Sequence, residues 1–416
     1  MSTMIEDVIA RKILNSRGEE TIEVDVITTV GVGRASAPSG ASRGRAEVVP
    51  YPEGGVEEAV KKIEEIVAPE LIGLNADEQE EIDSLLHELD GTDNFQKIGG
   101  NTSYAISLAV ADAAASSYDL PLFQFLGGYL ANEMPYPLGN VLGGGKHALG
   151  KAPDIQEFLA IPIGAAVFSD AAKANVLIHK KLGSLIKERD MNFTGGRGDE
   201  GAWAPNLVND DALELVARAC EEISDEIGFE CRAGSDVASS SLWDSKKKRY
   251  IYTRDGTSRD SGEQLEYISS LIDKFKLVYI EDPFHEEDFE SFRELTKRVR
   301  NCLICGDDLF VTSMEKLSRG IKINAGNSII IKTNQIGTLT DAWRTTDLAK
   351  RSKYVPVISH RSGETEDSHI AHLAVAFNCP IIKTGVMGGE RAAKINEIIR
   401  IEEMLGSRAR MAKLPL

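Results

Sequence analysis

Charged side chains follow several short apolar runs in the second half of the chain. Asp236 ends Ala-Gly-Ser-Asp, Glu281 ends Val-Tyr-Ile-Glu, and Asp307 follows Leu-Ile-Cys-Gly. Two lysines come later, with Lys332 after Ser-Ile-Ile-Ile and Lys383 after Pro-Ile-Ile. From Glu281 onward the runs recur about every 25 residues, which is the length of one strand, one helix and two loops. This spacing predicts a TIM-like α/β barrel with a site at the carboxyl ends of its strands.

The three carboxylates at Asp236, Glu281 and Asp307 are candidate metal ligands. Three oxygen ligands that leave other positions open suit Mg²⁺, which keeps water or substrate oxygens in its shell. Any one of these residues alone would be interpreted as a helix N-cap or a solvated loop carboxylate. Their placement at successive strand ends favours the metal site. Asp282 and Asp308 are adjacent alternatives, because neighbouring strand residues point to different faces.

Lys332 and Lys383 each end an apolar strand, where an ammonium group is costly unless it is paired or functional. Beside two metal ions the pKa of Lys332 would fall, which would make it a base near neutral pH. The alternative is a lysine that extends from the strand end to solvent. Lys383 has the same character and could bind a carboxylate or a phosphate.

Two further carboxylates could carry out acid catalysis. Glu200 lies between glycines in Gly198-Asp-Glu-Gly201, where Asp199 could orient a neighbour. Glu157, in Gln-Glu-Phe before a strand-like run, could share a proton with Glu200. The alternative for the glycine-flanked pair is an ordinary acidic turn.

Two segments could bind an anion. In Ser359-His-Arg-Ser362, Arg361 can hold a phosphate through two hydrogen bonds, and Ser362 adds a donor. The loops after the last strands of a barrel are its usual phosphate site. Gly143-Gly-Gly-Lys-His147 is a glycine-rich loop that lacks the Walker pattern, and a plain mobile loop is the alternative.

The first third of the chain differs from the rest. Residues 21–28 alternate between apolar and polar side chains, as a half-buried strand does. Helical patterns follow near residues 56–67, 77–90 and 102–118. Strands followed by helices indicate an α+β unit, and beyond Pro135-Tyr-Pro137 strand and helix patterns alternate. We expect an N-terminal α+β capping domain over residues 1–128 and the barrel over residues 129–416.

Composition narrows the classes of function. The formal net charge of −18 repels nucleic acid and anionic membranes, so neither is an expected partner. The N-terminus lacks the basic and apolar regions of a signal peptide, and no apolar run reaches the length of a membrane span. Five scattered cysteines fit a reducing cytoplasm, and Cys302 and Cys305 are expected in the core. We therefore expect a cytoplasmic enzyme.

Taken together, these segments resemble the enolase family over nearly the whole chain, and the Gly-Gly-Gly-Lys-His loop is similar to that of archaeal members. The Ser-His-Arg-Ser-Gly-Glu-Thr-Glu-Asp segment is the most specific match. The matching motifs are Asn15-Ser-Arg-Gly18, Ser39-Gly-Ala-Ser42, Gln156-Glu-Phe158, Gly198-Asp-Glu-Gly201, Ala204-Pro-Asn206, Ile280-Glu-Asp-Pro-Phe284, Gly306-Asp-Asp-Leu309, Ile331-Lys-Thr-Asn-Gln-Ile-Gly337, Ser359–Asp367, Lys383-Thr-Gly385 and Arg400-Ile-Glu-Glu403.

The resemblance implies an enolase-type modified barrel and the reversible conversion of 2-phosphoglycerate to phosphoenolpyruvate. It implies a first Mg²⁺ on the three carboxylates named above, and a second that arrives with substrate as the loop containing Ser39 closes. Lys332 would remove the C2 proton. Glu200, helped by Glu157, would protonate the departing C3 hydroxyl. The resemblance also implies a homodimer or homo-octamer.

The remaining roles also come from the resemblance. Arg361, Ser362 and His147 would contact the phosphate region, and Lys383 would contact the substrate carboxylate. Gln156 is a further substrate-binding residue, and His147 and His360 count among the catalytic residues.

The chain also departs from the family pattern, mostly in loops at the rim of the expected site. The departures stand at Asn15, Glu19, Glu20, Arg43, Gly143, Ser241 and the 386–390 segment after Lys383-Thr-Gly. They bear on turnover, lid closure and the exact substrate more than on the type of reaction. Two alternatives stay open at this point: a superfamily relative that acts on a different carboxylate, and a non-catalytic homologue that acts as a binding protein.

Overall fold

The N-terminal part of the chain is a small sheet covered by helices. The structure, a computed structural model, describes residues 2–41, 43–148 and 150–416. An antiparallel sheet in the order β1-β2-β3 comes first. Val24 and Val26, on the central strand, are fully buried, as the alternation over residues 21–28 predicts. These strands are β1 (Ile5–Leu14), β2 (Glu20–Thr28) and β3 (Val32–Ser36).

Helices pack on one face of this sheet, near the predicted positions. The small residues of α4 allow close packing: a Cβ at Gly33 of β3 would lie 2.1 Å from the carbonyl oxygen of Ala109. The helices are α1 (Gly55–Lys62), α2 (Ala68–Leu71), α3 (Gln79–Asp90), α4 (Gly100–Ser117) and α5 (Leu122–Gly127), with a π-helical turn over Ile63–Val67.

The rest of the chain forms a closed barrel with strand order β5-β6-β7-β11-β12-β13-β14-β15. The strands are β4 (Glu133–Met134), β5 (Tyr136–Gly143), β6 (Glu157–Ile161), β7 (Arg232–Asp236), β8 (Trp243–Asp244), β9 (Arg249–Tyr252), β10 (Thr257–Arg259), β11 (Tyr279–Glu281), β12 (Leu303–Gly306), β13 (Ser328–Ile331), β14 (Val355–Ser359), β15 (Ile381–Gly385) and β16 (Arg410–Met411). β8, β9 and β10 form a separate small sheet, and β16 pairs with β4.

Helices surround the barrel. They are α6 (Phe168–Arg189), α7 (Asn209–Ile227), α8 (Ser261–Phe275), α9 (Phe289–Arg298), α10 (Met314–Ile323), α11 (Thr333–Ile336), α12 (Leu339–Arg351), α13 (His369–Ala376) and α14 (Gly389–Leu405). Short 3₁₀ turns cover Gly145–His147, Ser239–Ser241 and Gly406–Arg408. No helix in the described part of the chain is both long and apolar enough to cross a membrane.

The barrel is of the modified type. Strand and helix patterns do not simply alternate from its start, because β5 and β6 come before α6 and α7. β6 runs antiparallel to both β5 and β7, whereas the other neighbouring pairs are parallel. As a result Glu157, the first residue of β6, pairs with Asp236, the last residue of β7. The start of β6 therefore lies at the same rim as the carboxyl ends of its neighbours.

Apolar side chains fill the barrel interior, among them Leu138, Ile330 and Val357, and the C-terminal Leu414 and Leu416 pack against this cluster. The five cysteines all lie in the described part of the chain and are buried free thiols, so the core interpretation of Cys302 and Cys305 is confirmed. The N-terminal unit contacts the barrel rim, and the division between residues 128 and 129 stays a prediction.

Candidate active site

The residues that the sequence singled out converge at one rim of the barrel. They line a small cavity of about 30 Å³. Gly40 and Ala41 of the N-terminal unit also line it. The predicted residues in its wall are His147, Gln156, Glu157, Glu200, Asp236, Asp307, Lys332, His360, Arg361, Ser362 and Lys383. Glu281 lies behind Lys383, and Ser39 precedes Gly40.

The three candidate metal ligands stand on neighbouring strands. Asp236 ends β7 and pairs in register with Glu281, which ends β11, and Asp307 directly follows β12. Two ammonium groups lie among them. Lys383 Nζ is 3.0 Å from Asp236 Oδ2 and 2.8 Å from Glu281 Oε2. Lys332 Nζ is 2.5 Å from Asp307 Oδ2. Parallel strands thus bring acidic and basic groups from distant segments to one rim.

The electrostatics of these carboxylates suit a cation. Burial raises the pKa of Glu281 to about 8, and the negative charge of Asp236 adds to the shift. Glu281 Oε1 is buried and has no hydrogen-bond partner among the described residues. A buried carboxylate oxygen without a donor is a ready ligand for a hard divalent ion. The residues present could therefore hold a metal.

The adjacent carboxylates are arranged differently. Asp282, Asp307 and Asp308 offer ligand atoms within 4.8 Å of one another. Both oxygens of Asp282, however, accept backbone N–H groups, from Asp307 at 3.0 Å and Asp308 at 2.8 Å. Asp282 thus fixes the loop that carries Asp307. Burial and the charge of Asp307 raise the pKa of Asp308 to about 7, and Asp308 stays an alternative ligand.

Lys332 is held by its carboxylate partner. Burial alone would lower the pKa of its ammonium group, but the charge of Asp307 outweighs burial and keeps the pKa above its usual value. The fall in the pKa of Lys332 that the sequence analysis expects applies to the site with two bound metal ions, and it stays a prediction.

A pair of carboxyl groups faces the cavity near two histidines. His147 Nδ1 lies 3.4 Å from Glu157 Oε1 and 3.7 Å from Glu200 Oε1. His360 Nε2 lies 3.3 Å from Glu200 Oε2, which also accepts a hydrogen bond from Asn140 Nδ2 at 3.0 Å. Neither the role of Asn140 nor its contact with Glu200 is visible in the local sequence.

The two carboxyl groups differ in acidity. Burial raises the pKa of Glu157 well above its usual range, and the charge of Glu200 adds to the shift. Burial acts in the same direction on Glu200, but the neighbouring His360 and His147 outweigh it and hold the pKa of Glu200 well below its usual range. Of the two, Glu157 is therefore the weaker acid, although Lys383 Nζ lies 3.2 Å from its Oε2 and opposes the shift.

The loop that carries Glu200 is packed tightly against the loop of His147. A Cβ at Gly198 would lie 2.1 Å from the carbonyl oxygen of His147, so only glycine allows this approach. Asp199 N also donates to that carbonyl at 3.2 Å. The turn around Glu200 is thus a built part of the site and differs from an ordinary acidic turn.

The segment with Ser39 closes the cavity from the N-terminal side. Ser39 and Gly363 exchange backbone hydrogen bonds of 2.7 and 2.8 Å. Asn15, a departure from the family pattern, donates to Ser39 Oγ at 2.8 Å. Ala41 N donates to Ser362 Oγ at 2.6 Å. Ser42, in the same motif, lies outside the described residues.

Besides Asn140, sequence reasoning missed further residues that contact the predicted set, among them Glu47, Arg391 and Gln335. Glu47 pairs with Arg361, and Arg391 contacts His360. Gln335 Nε2 donates to Asp307 Oδ1 at 2.8 Å. Gln335 had a visible signal, since it is polar and lies one helical turn after Lys332. Glu47 and Arg391 had none, because their partners are far away in sequence.

Known proteins resemble the chain over its full length. A family model described as "Enolase, N-terminal domain" matches residues 5–126, and one described as "Enolase, C-terminal TIM barrel domain" matches residues 131–414. A protein named "Enolase" from Methanosphaera stadtmanae is 57% identical over 406 residues, 97% of this chain and 98% of that protein. Another "Enolase", from Methanothermobacter thermautotrophicus, is 54% identical over 416 residues, all of both chains.

Proposed function

Because this chain belongs to the enolase family of glycolytic lyases, we propose that it catalyses the reversible dehydration of 2-phosphoglycerate to phosphoenolpyruvate. A lysine whose side chain is 11% exposed and a buried carboxyl pair, on opposite sides of one cavity, carry this proposal. Lys332 follows β13, and Glu157 begins β6, which lies four strands further round the barrel. A base and an acid on opposite sides suit the loss of a proton and a hydroxyl from adjacent carbons.

Lys332 is the proposed base. In its neutral form it would take the proton from C2 of the substrate. The C–H electron pair would be held on the substrate carboxylate as an enolate and would form the C2=C3 double bond when the C3–O bond breaks. A proton next to a carboxylate is weakly acidic, because its removal puts a second negative charge on the same group. The acidity must therefore come from positive charge placed around that carboxylate.

Asp236, Glu281 and Asp307 would hold a first Mg²⁺, and Ser39 would take part in holding a second one with the substrate. When bound, Mg²⁺ would stabilise the charge that develops on the substrate carboxylate and lower the pKa of Lys332. The oxygen-only donor set and the unpartnered Glu281 Oε1 support this assignment.

Glu200, helped by Glu157, is the proposed acid. It would protonate the C3 hydroxyl as the C3–O bond breaks, and the hydroxyl would leave as water. Glu157, the weaker acid, would pass a proton to Glu200 for this step, and Asn140 holds Glu200 in place. Burial keeps bulk water away from the pair, which strengthens each of these contacts.

Anion binding is assigned to the remaining residues. Arg361, Ser362 and His147 would contact the phosphate, since a guanidinium group donates two parallel hydrogen bonds to phosphate oxygens. Lys383 would contact the substrate carboxylate, and Gln156 and His360 line the same cavity.

For the whole protein we propose a cytoplasmic homodimer or homo-octamer, with a capping domain over residues 1–128 and the barrel over 129–416. The chain spans 98% and 100% of the length of the two archaeal relatives. The net charge of −18 argues against nucleic acid and anionic membrane as partners.

The decisive experiment follows the absorbance of phosphoenolpyruvate with 2-phosphoglycerate as substrate, in Mg²⁺ and in EDTA. Turnover that depends on Mg²⁺ is the expected result. If the protein binds Mg²⁺ but does not turn over 2-phosphoglycerate, the alternative is a superfamily relative that acts on another carboxylate. If it does neither, it is a non-catalytic homologue.

A further inference from the structure

Arg391 is a fully buried arginine that the roles above leave unexplained. It lies in the first turn of α14, after the segment that departs most from the family pattern, and its side chain is 0% exposed. Burial of a guanidinium group costs about several kcal/mol of desolvation free energy, which its hydrogen bonds and ion pairs must offset. Its partners therefore indicate what it does.

Two of these partners are carbonyl groups of the proposed phosphate loop. Arg391 Nη1 donates to the carbonyl oxygen of Arg361 at 2.7 Å, and Nη2 donates to that of Ser362 at 2.6 Å. Nη2 also lies 3.5 Å from the carbonyl oxygen of Asp199, in the loop that carries Glu200. One rigid guanidinium plane thus holds both the anion-binding loop and the acid loop.

Beside Glu390, whose Oε1 lies 3.4 Å from Arg391 Nε, a further partner is the imidazole of His360. Arg391 Nη1 lies 2.8 Å from His360 Nδ1. A guanidinium nitrogen can only donate, so Nδ1 must accept, and the imidazole proton must sit on Nε2. Gly385 N also points at Nδ1, at 3.4 Å, which gives the same tautomer. Nε2–H then lies 3.3 Å from Glu200 Oε2, beside its negative charge but without a hydrogen bond to it.

The charge of Arg391 also bears on protonation of the ring. Burial and, after it, the nearby Arg391 charge lower the pKa of His360 to about 4, against the opposing charge of Glu200. His360 thus stays a neutral N–H donor at neutral pH. The neighbouring Nε2–H dipole favours the ionised form of Glu200.

We propose that Arg391 is a positioning residue that fixes the tautomer of His360 and the position of the phosphate loop. The kinetic consequences of this inference rest on the proposed function. Its geometric part, an Nε2–H imidazole in contact with the acid pair, does not depend on turnover. Arg391 touches no substrate atom in this account and acts through His360, Arg361 and Ser362.

The same helix supplies a matched control. Lys394, one turn after Arg391, is also buried, and its Nζ donates to the carbonyl oxygens of Thr365 at 3.0 Å and Asp367 at 2.6 Å. It therefore anchors the downstream half of the same loop. A purely structural role for Arg391 would make its variants behave like those of Lys394.

The experiment compares the wild type with Arg391→Met, Arg391→Lys and Lys394→Met. Nuclear magnetic resonance of ¹⁵N-histidine protein reads the imidazole tautomer, and His360→Gln assigns the resonance. We expect the Nε2–H form in the wild type and in Lys394→Met, and a larger share of the Nδ1–H form in both Arg391 variants, where only the longer Gly385 contact to Nδ1 remains. Lysine keeps the charge but lacks the planar fork, so it should not restore the tautomer.

Kinetics supply the second measurement. In both Arg391 variants we expect a higher KM for 2-phosphoglycerate, and in Arg391→Met, which loses the charge, an acid limb of kcat moved to higher pH. We expect kcat/KM to fall by about 100-fold. Lys394→Met should lower the melting temperature and leave the pH profile unchanged.

The two proposals can fail separately. A wild-type Nδ1–H tautomer, or Arg391 variants with the wild-type tautomer, would overturn the role of Arg391 whether or not the protein turns over substrate. Absence of wild-type turnover would overturn the proposed function and leave the tautomer measurement decisive for Arg391. If Arg391→Met does not fold, Arg391→Lys decides alone.

Discussion

Glu47, from the N-terminal unit, forms a paired ion contact with Arg361, the proposed phosphate ligand of the barrel. Arg361 Nη1 lies 3.1 Å from Glu47 Oε2, and Nη2 lies 3.3 Å from Glu47 Oε1. Both side chains are about 4% exposed. Gln335 Nε2 lies 3.4 Å from Glu47 Oε1 and also donates to Asp307. A chain of hydrogen bonds thus links the capping unit, the proposed phosphate site and a proposed metal ligand.

Glu47→Ala should destabilise the protein, because it leaves the Arg361 charge buried beside one fewer carboxylate. Loss of one partner of a buried ion pair costs about 3–5 kcal/mol. Inorganic phosphate should restore part of this loss by neutralising Arg361, so phosphate should raise the melting temperature more in the variant than in the wild type.

Differential scanning fluorimetry with and without phosphate measures both effects. Glu53→Ala, at an exposed position of the same segment, is the control. Equal phosphate shifts in variant and wild type would contradict the link between Glu47 and the anion site.

Lys332→Ala should abolish exchange of the C2 proton of 2-phosphoglycerate with solvent deuterium, by at least about 100-fold. The reason is that no other group of the cavity is assigned to take this proton. Mg²⁺ binding should remain, because the oxygen donors stay in place. Lys322→Ala, an exposed lysine of α10, should exchange like the wild type. Unchanged exchange in Lys332→Ala would reject this residue as the base.

Asp236→Asn should weaken the binding of Mg²⁺ to the substrate-free protein. A ligand present at about 100 times its Kd stabilises the folded state by roughly 2.7 kcal/mol. We therefore expect Mg²⁺ to raise the melting temperature of the wild type, measured against EDTA, and to raise that of Asp236→Asn much less. Asp273→Asn, on the exposed face of α8, should keep the full shift. A full shift in Asp236→Asn would remove this residue from the metal site.

His369 should make stability depend on pH in the alkaline range. Its Nδ1 lies 2.5 Å from Asp367 Oδ1, and its Nε2 lies 3.7 Å from Asp112 Oδ2 in the N-terminal unit. Burial opposes the charged imidazolium form, but Asp367 and Asp112 outweigh it and raise the pKa of His369 to about 10. The protonated histidine therefore joins the two parts of the chain.

The sign follows from the pKa of His369, which is higher in the folded than in the unfolded chain. Its contribution is complete below about pH 6.5, the value of an unperturbed histidine, and disappears as the pH rises towards 10. The contribution is at most about 5 kcal/mol. Urea unfolding between pH 6 and 10 should therefore show a steeper loss of stability in the wild type than in His369→Gln. Parallel curves for the two proteins would contradict the charged triad.

Much of the site was visible in the sequence because it depends on local pattern. Short apolar runs predict buried strands, and parallel strands bring their carboxyl ends to one rim. Asp236, Glu281, Lys332 and Lys383 could therefore be predicted as neighbours although up to 147 residues separate a contacting pair, Lys383 and Asp236. Family membership and the barrel fold, which the sequence also indicated, are confirmed by the family models.

The direction of β6 was decided only by tertiary structure. Glu157 stands at the beginning of its strand, and in a fully parallel barrel that end would lie far from the site. Antiparallel pairing with β5 and β7 brings Glu157 beside Asp236 instead. An apolar run has the same periodicity in either direction, so its sequence does not contain this information.

The pairing of buried charges was likewise decided by the packing of distant elements. Glu47 and Arg361 are 314 residues apart, and Arg391 reaches His360 across 31 residues and a whole strand. The local sequence indicates that an apolar run is buried, or that a charged residue stands next to such a run. Which carboxylate compensates which guanidinium group depends on the three-dimensional placement of both, because the energy of a buried pair depends on distance and on exclusion of water.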